Sequence, residues 1–254
     1  MNATTAHLAA LGRAEFTLFF RSKSNLVNVL LIPVMVTVGM KVVIDRFDLP
    51  AAGLTMGPVI ISTAAGVILT MALYAPLVGI YVARREELLL KRLRTGEVSD
   101  FTILAGSAVP TAAAVPVQFG LITVAVSLIA GMGLPPNPLL PLVGMALGTT
   151  LMVMLAAATT AMARTVESAQ VALLPGMFLL PLTSGTYIPL EVLPDVVHDI
   201  FRFLPLTPVI DLVRAGWTEG MSWGRIVLDI AVLAGWTALA AYTVRRRFRW
   251  EPRT

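Results

Sequence analysis

The chain has 254 residues, 57% of them hydrophobic and only 13% charged, with a mean hydropathy of +0.82. A soluble domain carries about a quarter charged residues, so an apolar excess gathered in long runs is a membrane composition and excludes an ordinary water-soluble domain. The net charge of +4 does not indicate nucleic acid, because the basic residues flank apolar segments; without cysteine, and with only His7 and His198, the chain has no thiol chemistry, disulfide or His-rich metal site.

Residues 1–25 mix polar and apolar side chains and hold no short apolar region ending in a small-residue cleavage site, so no cleaved signal peptide is expected. Helical spacing over 5–24 places Ala9, Gly12, Phe16, Phe19 and Phe20 on one side and Arg13, Thr17, Arg21 and Ser24 on another. Aromatics opposite arginines just before an apolar run predict a helix in the bilayer interface, with a plain cytoplasmic helix as the alternative. Six segments then reach the roughly 20 residues that a crossing needs, 26–44, 56–82, 103–130, 139–163, 169–188 and 226–244. The fifth is interrupted by Pro175 and Pro181 and bounded by Pro189, which kink or end a helix unless neighbours satisfy the freed carbonyls.

The basic residues orient these segments. Fourteen lie on one side, in the clusters around Arg13–Lys23, Arg84–Arg94, Arg164 and Arg245–Arg253, against Lys41, Arg46, Arg202, Arg214 and Arg225 on the other. The richer side is cytoplasmic by the positive-inside rule, which puts both termini inside. Trp217 and Trp223 then mark the outer interface, and Tyr242, Phe248 and Trp250 the inner one. Lys41 and Asp229 fall within apolar segments, but Lys41 sits where it can snorkel to the surface, and Asp229 follows Arg225 at the spacing of an i,i+4 ion pair. No acidic cluster of the kind a proton-coupled pump needs is present. Methionines within the spans, among them Met152 and Met154, read as packing or lipid-facing residues, and glycines such as Gly66 and Gly120 as places for close helix approach.

Two connections carry more information. In the cytoplasmic one (84–99), Leu89, Leu90 and Leu93 form an apolar patch at helical spacing, framed by Glu86, Glu87, Lys91, Arg92 and Arg94, and Gly96 ends the helix. Such leucines are buried either in a partner groove or in the bilayer interface. The external one (184–217) is long, apolar and punctuated by proline. Val196, Val197, Ile200, Phe201 and Leu204 repeat at helical spacing, and Val209, Ile210, Leu212 and Val213 do so again, predicting two short helices folded back into the outer leaflet. The expected architecture is an all-α membrane protein, one domain over 1–254, with six transmembrane helices, an N-terminal interfacial helix and a re-entrant hairpin before the last span.

Ser184, Gly185, Pro189, Leu193 and Pro194 fit the pattern S-G-x-x-x-P-x-x-x-L-P, and Leu204, Pro205, Leu206, Thr207, Asp211 and Arg214 fit most of L-x-P-L-T-x-x-x-D-x-x-R. With these motifs and the six spans, the chain resembles the permease subunit of drug-resistance-like, ABC-2 type bacterial exporters over essentially its whole length. It departs from that family where acidic residues usually run into Gly-Thr; here the run is Glu86-Glu87-Leu88-Leu89-Leu90-Lys91. No Gly-Lys pair occurs, so the chain has no phosphate-cradling loop of its own. The resemblance therefore implies a separate ABC ATPase dimer carrying ATP and Mg, no cofactor on this chain, and a second permease copy or close relative. It also implies an inner-membrane location and a hydrophobic or amphiphilic substrate such as an antibiotic. The residues it singles out are Glu86, Glu87, Leu89, Leu90 and Leu93 for coupling to the ATPase, Ser184, Gly185, Pro189 and Pro194 for an external gate, and Tyr74, Pro76, Phe178 and Thr183 for the substrate path. A polysaccharide or lipid-linked glycan is the alternative cargo. An ion-coupled carrier and a non-transporting assembly or sensor protein are the alternatives of another class.

Overall fold

An apolar run from Met56 to Val82, extended by one charged turn to Glu86, forms one 31-residue helical rod, the central element of the computed structural model. The structure describes residues 35, 37–39, 42, 46, 48–51, 53–87, 100–133, 135–163, 165–218 and 220–248. The rod consists of α1 (Met56–Val67), a π-helical stretch (Ile68–Tyr74) and α2 (Ala75–Glu86). The π stretch has a cause in Pro76. Proline has no N–H for the carbonyl four residues back and its ring crowds that carbonyl, so the helix widens just before it, and the Ala75 N–H reaches back to Thr70. The Thr70 hydroxyl returns a hydrogen bond to the Gly66 carbonyl at 2.7 Å, which further loosens the regular ladder.

The remaining elements are α3 (Asp100–Ile129), containing Pro110 and Pro116, α4 (Leu139–Thr160), α5 (Val166–Ala172), α6 (Leu174–Thr183), a 3-10 turn (Leu190–Val192), α7 (Asp195–Phe201), α8 (Thr207–Arg214) and α9 (Trp223–Arg247). Every regular element among the described residues is helical. Five helical stretches are long and apolar enough to cross a membrane: the rod, α3, α4, α5–α6 and α9. They fall on the second to sixth predicted spans. The first predicted span lies largely outside the described residues, and the N-terminal interfacial helix entirely so. Several boundaries shift by a few residues, and two of the shifts bear on the site. The fifth helix spans Val166–Thr183 rather than running on to 188, because Ser184 and Gly185 end it; Gly185 has φ +80, which only glycine adopts without strain. The rod continues to Glu86, so Arg84, Arg85 and Glu86 belong to its last turn and not to a separate loop helix. Cations in that turn suit the negative end of the helix dipole.

The rod and α4 form the core, with 72% and 50% of their apolar windows buried, against 17–22% for the other three long helices. Ile61, Ile68, Leu69, Leu73 and Leu77 of the rod meet Leu151 and Met152 of α4 in one continuous cluster. Around this pair, α3 covers the rod, α5 and α6 cover α2 and the π stretch, and α9 lies along α4. Val117, Leu121, Val124 and Leu128 leave an apolar face of α3 outward, as a lipid-facing helix requires.

The two short helices of the 184–217 segment fare differently. In α7 no residue is buried, and Val196 and Ile200 are largely exposed. α8 is wedged between α1, α4 and α9, with Val209, Ile210, Leu212 and Val213 fully enclosed. Gly148 makes room for it: a Cβ there would stand 3.0 Å from the Val209 methyls and 2.9 Å from Leu69. Filling that position should overpack the junction, so Gly148→Leu is expected to cost about 1–3 kcal/mol. The measurement is the unfolding midpoint in detergent, and an unchanged midpoint would mean that α8 does not seat there.

Candidate functional site

Two groups of polar residues, one at each end of the bundle, fasten its helices together. At the end near Leu139, α8 is amphipathic in an unusual sense: its apolar side fills the core while Asp211 and Arg214 project toward charged partners. Arg214 donates to the Glu191 carboxylate at 2.6 Å, which ties α8 to the 3-10 turn. Arg225, in the first turn of α9, donates to Asp211 at 2.5 Å and lies 3.3 Å from Asp229, the i,i+4 pair expected from the sequence. Asp229 is 1% exposed, so its charge depends on that arginine. Burial pushes the Asp211 carboxyl above the usual carboxylate range, against the pull of Arg225 and Arg214. The Thr207 hydroxyl, at the start of α8, donates to the Phe201 carbonyl at 2.7 Å and to the Thr183 carbonyl at 3.3 Å. One short helix is thus fixed to the end of α6, to α7, to the 3-10 turn and to α9.

The residues assigned to an external gate lie around this clasp. Ser184, Gly185 and Pro189 are buried, while Pro194 is exposed at the start of α7. The Ser184 hydroxyl bonds the Thr186 hydroxyl at 2.7 Å, and Thr186 packs against Gly66 so closely that no Cβ fits there. This hydroxyl pair therefore locks the end of α6 onto the rod.

At the opposite end, three consecutive residues of the rod each take a different neighbour. Arg84 donates to the Ser107 hydroxyl of α3 at 2.5 Å. Arg85, 1% exposed, donates to the carbonyls of Thr160 at 3.1 Å and Ala163 at 2.7 Å, satisfying the open C-terminus of α4. The Glu86 carboxylate accepts the Val166 N–H at 3.1 Å and so caps α5, which the Thr165–Ser168 capping box also holds. Glu86, read from the sequence as a coupling residue, thus joins two connections of the same chain. Glu87 is exposed, and Leu89, Leu90 and Leu93 lie outside the described residues. Because Glu86→Gln keeps an oxygen acceptor for the Val166 N–H, it should leave the unfolding midpoint almost unchanged, whereas Glu86→Lys should lower it; equal midpoints would exclude this cap.

The four path candidates are not brought together within one chain. Tyr74 is enclosed, its hydroxyl 3.0 Å from that of Thr159, and its ring occupies the space a side chain at Gly176 would need. Phe178 is two residues beyond Gly176, about 200° around the helix, and is 61% exposed. Thr183 turns its hydroxyl back to the Leu179 carbonyl at 2.7 Å, and Pro76 is half-buried in the first turn of α2. Sequence reasoning missed Glu191 and the three separate partners of Arg84, Arg85 and Glu86. The one available signal was that arginine and glutamate stand together at a helix end, where long polar side chains reach neighbouring termini.

Residues 6–217 match the family model described as ABC-2 type transporter. The match includes the rod, α8 and its Asp211 and Arg214, and ends before Arg225 and Asp229 of the last helix. No curated protein matches the sequence.

Proposed function

The chain belongs to the ABC-2 type transporter family and is a multi-pass membrane component of an ABC transporter; on that premise, we propose that it is the permease subunit of an ATP-driven bacterial exporter for hydrophobic or amphiphilic molecules. It sits in the inner membrane with both termini cytoplasmic, pairs with a second permease copy or close relative, and takes its energy from a separate ABC ATPase that binds ATP and Mg. What carries the reading beyond the family is the rod with a fastening at each end. Arg84, Arg85 and Glu86 bind it to α3, α4 and α5 beside the 88–99 connection, while Gly66 and Leu69 meet Thr186 and the α8 junction some 25–30 Å away, at 1.5 Å per residue. A displacement imposed at the cytoplasmic connection is thereby passed along the rod to the 184–217 segment. The π stretch between the two fastenings is where such a rod bends.

In this mechanism ATP binding draws the motor subunits together, and the permease exchanges an inward-open for an outward-open packing, each stabilised by a different state of the motor. α8, seated on Gly148 about 13 Å along α4 from Leu139, is the plug that re-enters the outer leaflet and closes the external end. Phe178 faces outward on α6, where a second copy would meet it, whereas Tyr74 stays enclosed within its own chain.

The deciding experiment is co-purification and turnover. The permease alone should hydrolyse no ATP; with the ATPase it should assemble, hydrolyse ATP and export. Leu89→Asp with Leu93→Asp should release the motor while leaving membrane insertion intact. Hydrolysis by the rigorously purified permease would refute the assignment, and export that survives loss of ATP but stops when the proton gradient collapses would make the chain an ion-coupled carrier. Orientation has its own test: Ser99→Cys should be shielded from an impermeant thiol reagent on whole cells and Ser222→Cys should react, and the reverse would invert the topology.

A further inference from the structure

At the end of the bundle that carries Arg85, a cavity of about 680 Å³ opens between the C-terminal ends of α4 and α9. The transport reading gives it no role. Its α4 wall is built from Ala158, Ala161 and Met162, where the helix passes into a turn: the Ala161 and Met162 N–H groups reach only three residues back, to Ala158 and Thr159. Small side chains on that wall leave the gap. The facing wall is the end of α9, with Thr243, Arg246 and Arg247, and then Phe248. Ala161 and Phe248 are buried, while Arg246 and Arg247 are exposed. The space is therefore apolar at its depth and cationic at its mouth.

The hydroxyls of the lining are already engaged. Thr243 donates to the Leu239 carbonyl at 2.9 Å, and Thr159 bonds the Leu155 carbonyl at 2.9 Å and the Tyr74 hydroxyl at 3.0 Å. The guanidinium groups are not. Arg246 lies over the Tyr242 ring at 5.6 Å, and among the described residues neither Arg246 nor Arg247 forms an ion pair. No carboxylate lines the cavity. The dipole of α9 favours cations in its last turn but gives their N–H groups nothing to bond. Tyr242 and Phe248 set this turn at a membrane surface, the depth at which lipid phosphates lie. The pocket calls for a ligand that is anionic at one end and apolar at the other. Water lacks the charge, and a soluble anion leaves the apolar depth unfilled.

We propose that this pocket binds one anionic glycerophospholipid of the adjoining leaflet, with its phosphate on Arg246 and Arg247 and its glycerol and upper acyl carbons against Ala158, Met162 and Phe248. Planar guanidinium groups suit the two-point contacts that a phosphate offers, and basic pockets between membrane helices retain acidic headgroups. A headgroup with net negative charge is favoured over a zwitterionic one, because choline would be brought to the same two cations. The bound lipid bridges α4 and α9 independently of whether the chain transports anything. The site needs only that α9 ends at a membrane surface. Which leaflet supplies the lipid rests on the orientation, and the Ser99→Cys and Ser222→Cys labelling tests that separately.

The test is native mass spectrometry of the full chain released from nanodiscs made with equal amounts of phosphatidylglycerol and phosphatidylcholine. The chain should retain one phosphatidylglycerol in preference to phosphatidylcholine by about ten-fold, which corresponds to about 1.4 kcal/mol. Arg246→Gln and Arg247→Gln should each lower that preference, and together they should abolish it. Arg245→Gln removes the same charge from the neighbouring residue, which is exposed and outside the lining, and should leave the preference unchanged. Ala158→Leu keeps both arginines but fills the pocket, and it should lower the preference as well. The readout is a ratio between two lipids on the same inserted chain, so a poor yield of a variant does not imitate loss of the site. No preference in the unmodified chain would overturn the proposal. So would a preference that all three arginine substitutions lower equally and Ala158→Leu leaves intact, which is the general attraction of a basic surface. Loss of the preference in millimolar inorganic phosphate would make this a site for a free anion instead. A preference confined to dimers, and lost together with the dimer in the arginine variants, would assign the surface to a second copy of the chain.

Discussion

Arg225→Met should be among the most damaging single substitutions in this chain. The guanidinium satisfies Asp211 at 2.5 Å and Asp229 at 3.3 Å, and Asp229 is 1% exposed. Removing it leaves two neighbouring carboxylates in a low-dielectric junction with no cation between them. Breaking a buried pair by deleting one partner costs about 3–5 kcal/mol, most of it the penalty of the charge left behind. The expected result is a large fall in the detergent unfolding midpoint and loss of export. Asp211→Asn should cost less, since Arg225 still has Asp229. In Asp211→Asn with Arg225→Gln, the total should fall short of the sum of the two single losses, because each single variant already removes the shared ion pair. Additive losses would mean that the two residues do not act on each other. An Arg225→Met protein within about 0.5 kcal/mol of the parent would place that arginine among ordinary surface residues and remove the clasp from the account.

The contrast between the two kinds of information in the sequence is sharp at this clasp. Helix existence was legible because a crossing helix needs a continuous apolar run, and the five runs within the described residues are helices at nearly the expected positions. The Arg225–Asp229 pair was legible as well, since i and i+4 are neighbours on any helix. The Asp211–Arg225 and Arg214–Glu191 contacts were not, because each joins different helical elements and depends on how α8 packs, which one-dimensional periodicity does not encode. The same limit explains the external segment. Apolar spacing marked two short helices alike, yet among the described residues only α8 has a glycine on a neighbouring helix to seat it, and α7 lies outward. At the other end, charge clustering marked Glu86 for coupling to the ATPase, but its contact with Val166 of the same chain was not legible in that pattern. The rod runs one turn further than the apolar run, and this extra turn brings Glu86 within 3.1 Å of the Val166 N–H.

The second large effect is expected at Arg85. Few positions in the chain bury so large a side chain so completely, and its two donated bonds close the C-terminus of α4. Hydrogen bonds from a charged donor contribute about 1.5–3 kcal/mol each, and the carbonyls left open by a truncation have no water to turn to. Arg85→Met retains most of the apolar stem and removes only the donors, so its cost isolates the polar contribution. The expected loss is about 3 kcal/mol or more, seen as a lower unfolding midpoint, with Arg85→Lys intermediate because a single ammonium cannot span both carbonyls as the planar fork does. Function separates this residue from the leucines that follow it. Arg85→Met should still bind the ATPase, since the 88–99 connection is untouched, but hydrolysis should no longer drive export, because the rod has lost its hold on α4. The Leu89→Asp, Leu93→Asp variant should instead fail to retain the ATPase at all. If Arg85→Met keeps both the midpoint and the export rate of the parent, the rod does not transmit motion through α4, and the path from motor to external segment runs through α5 and α6 instead.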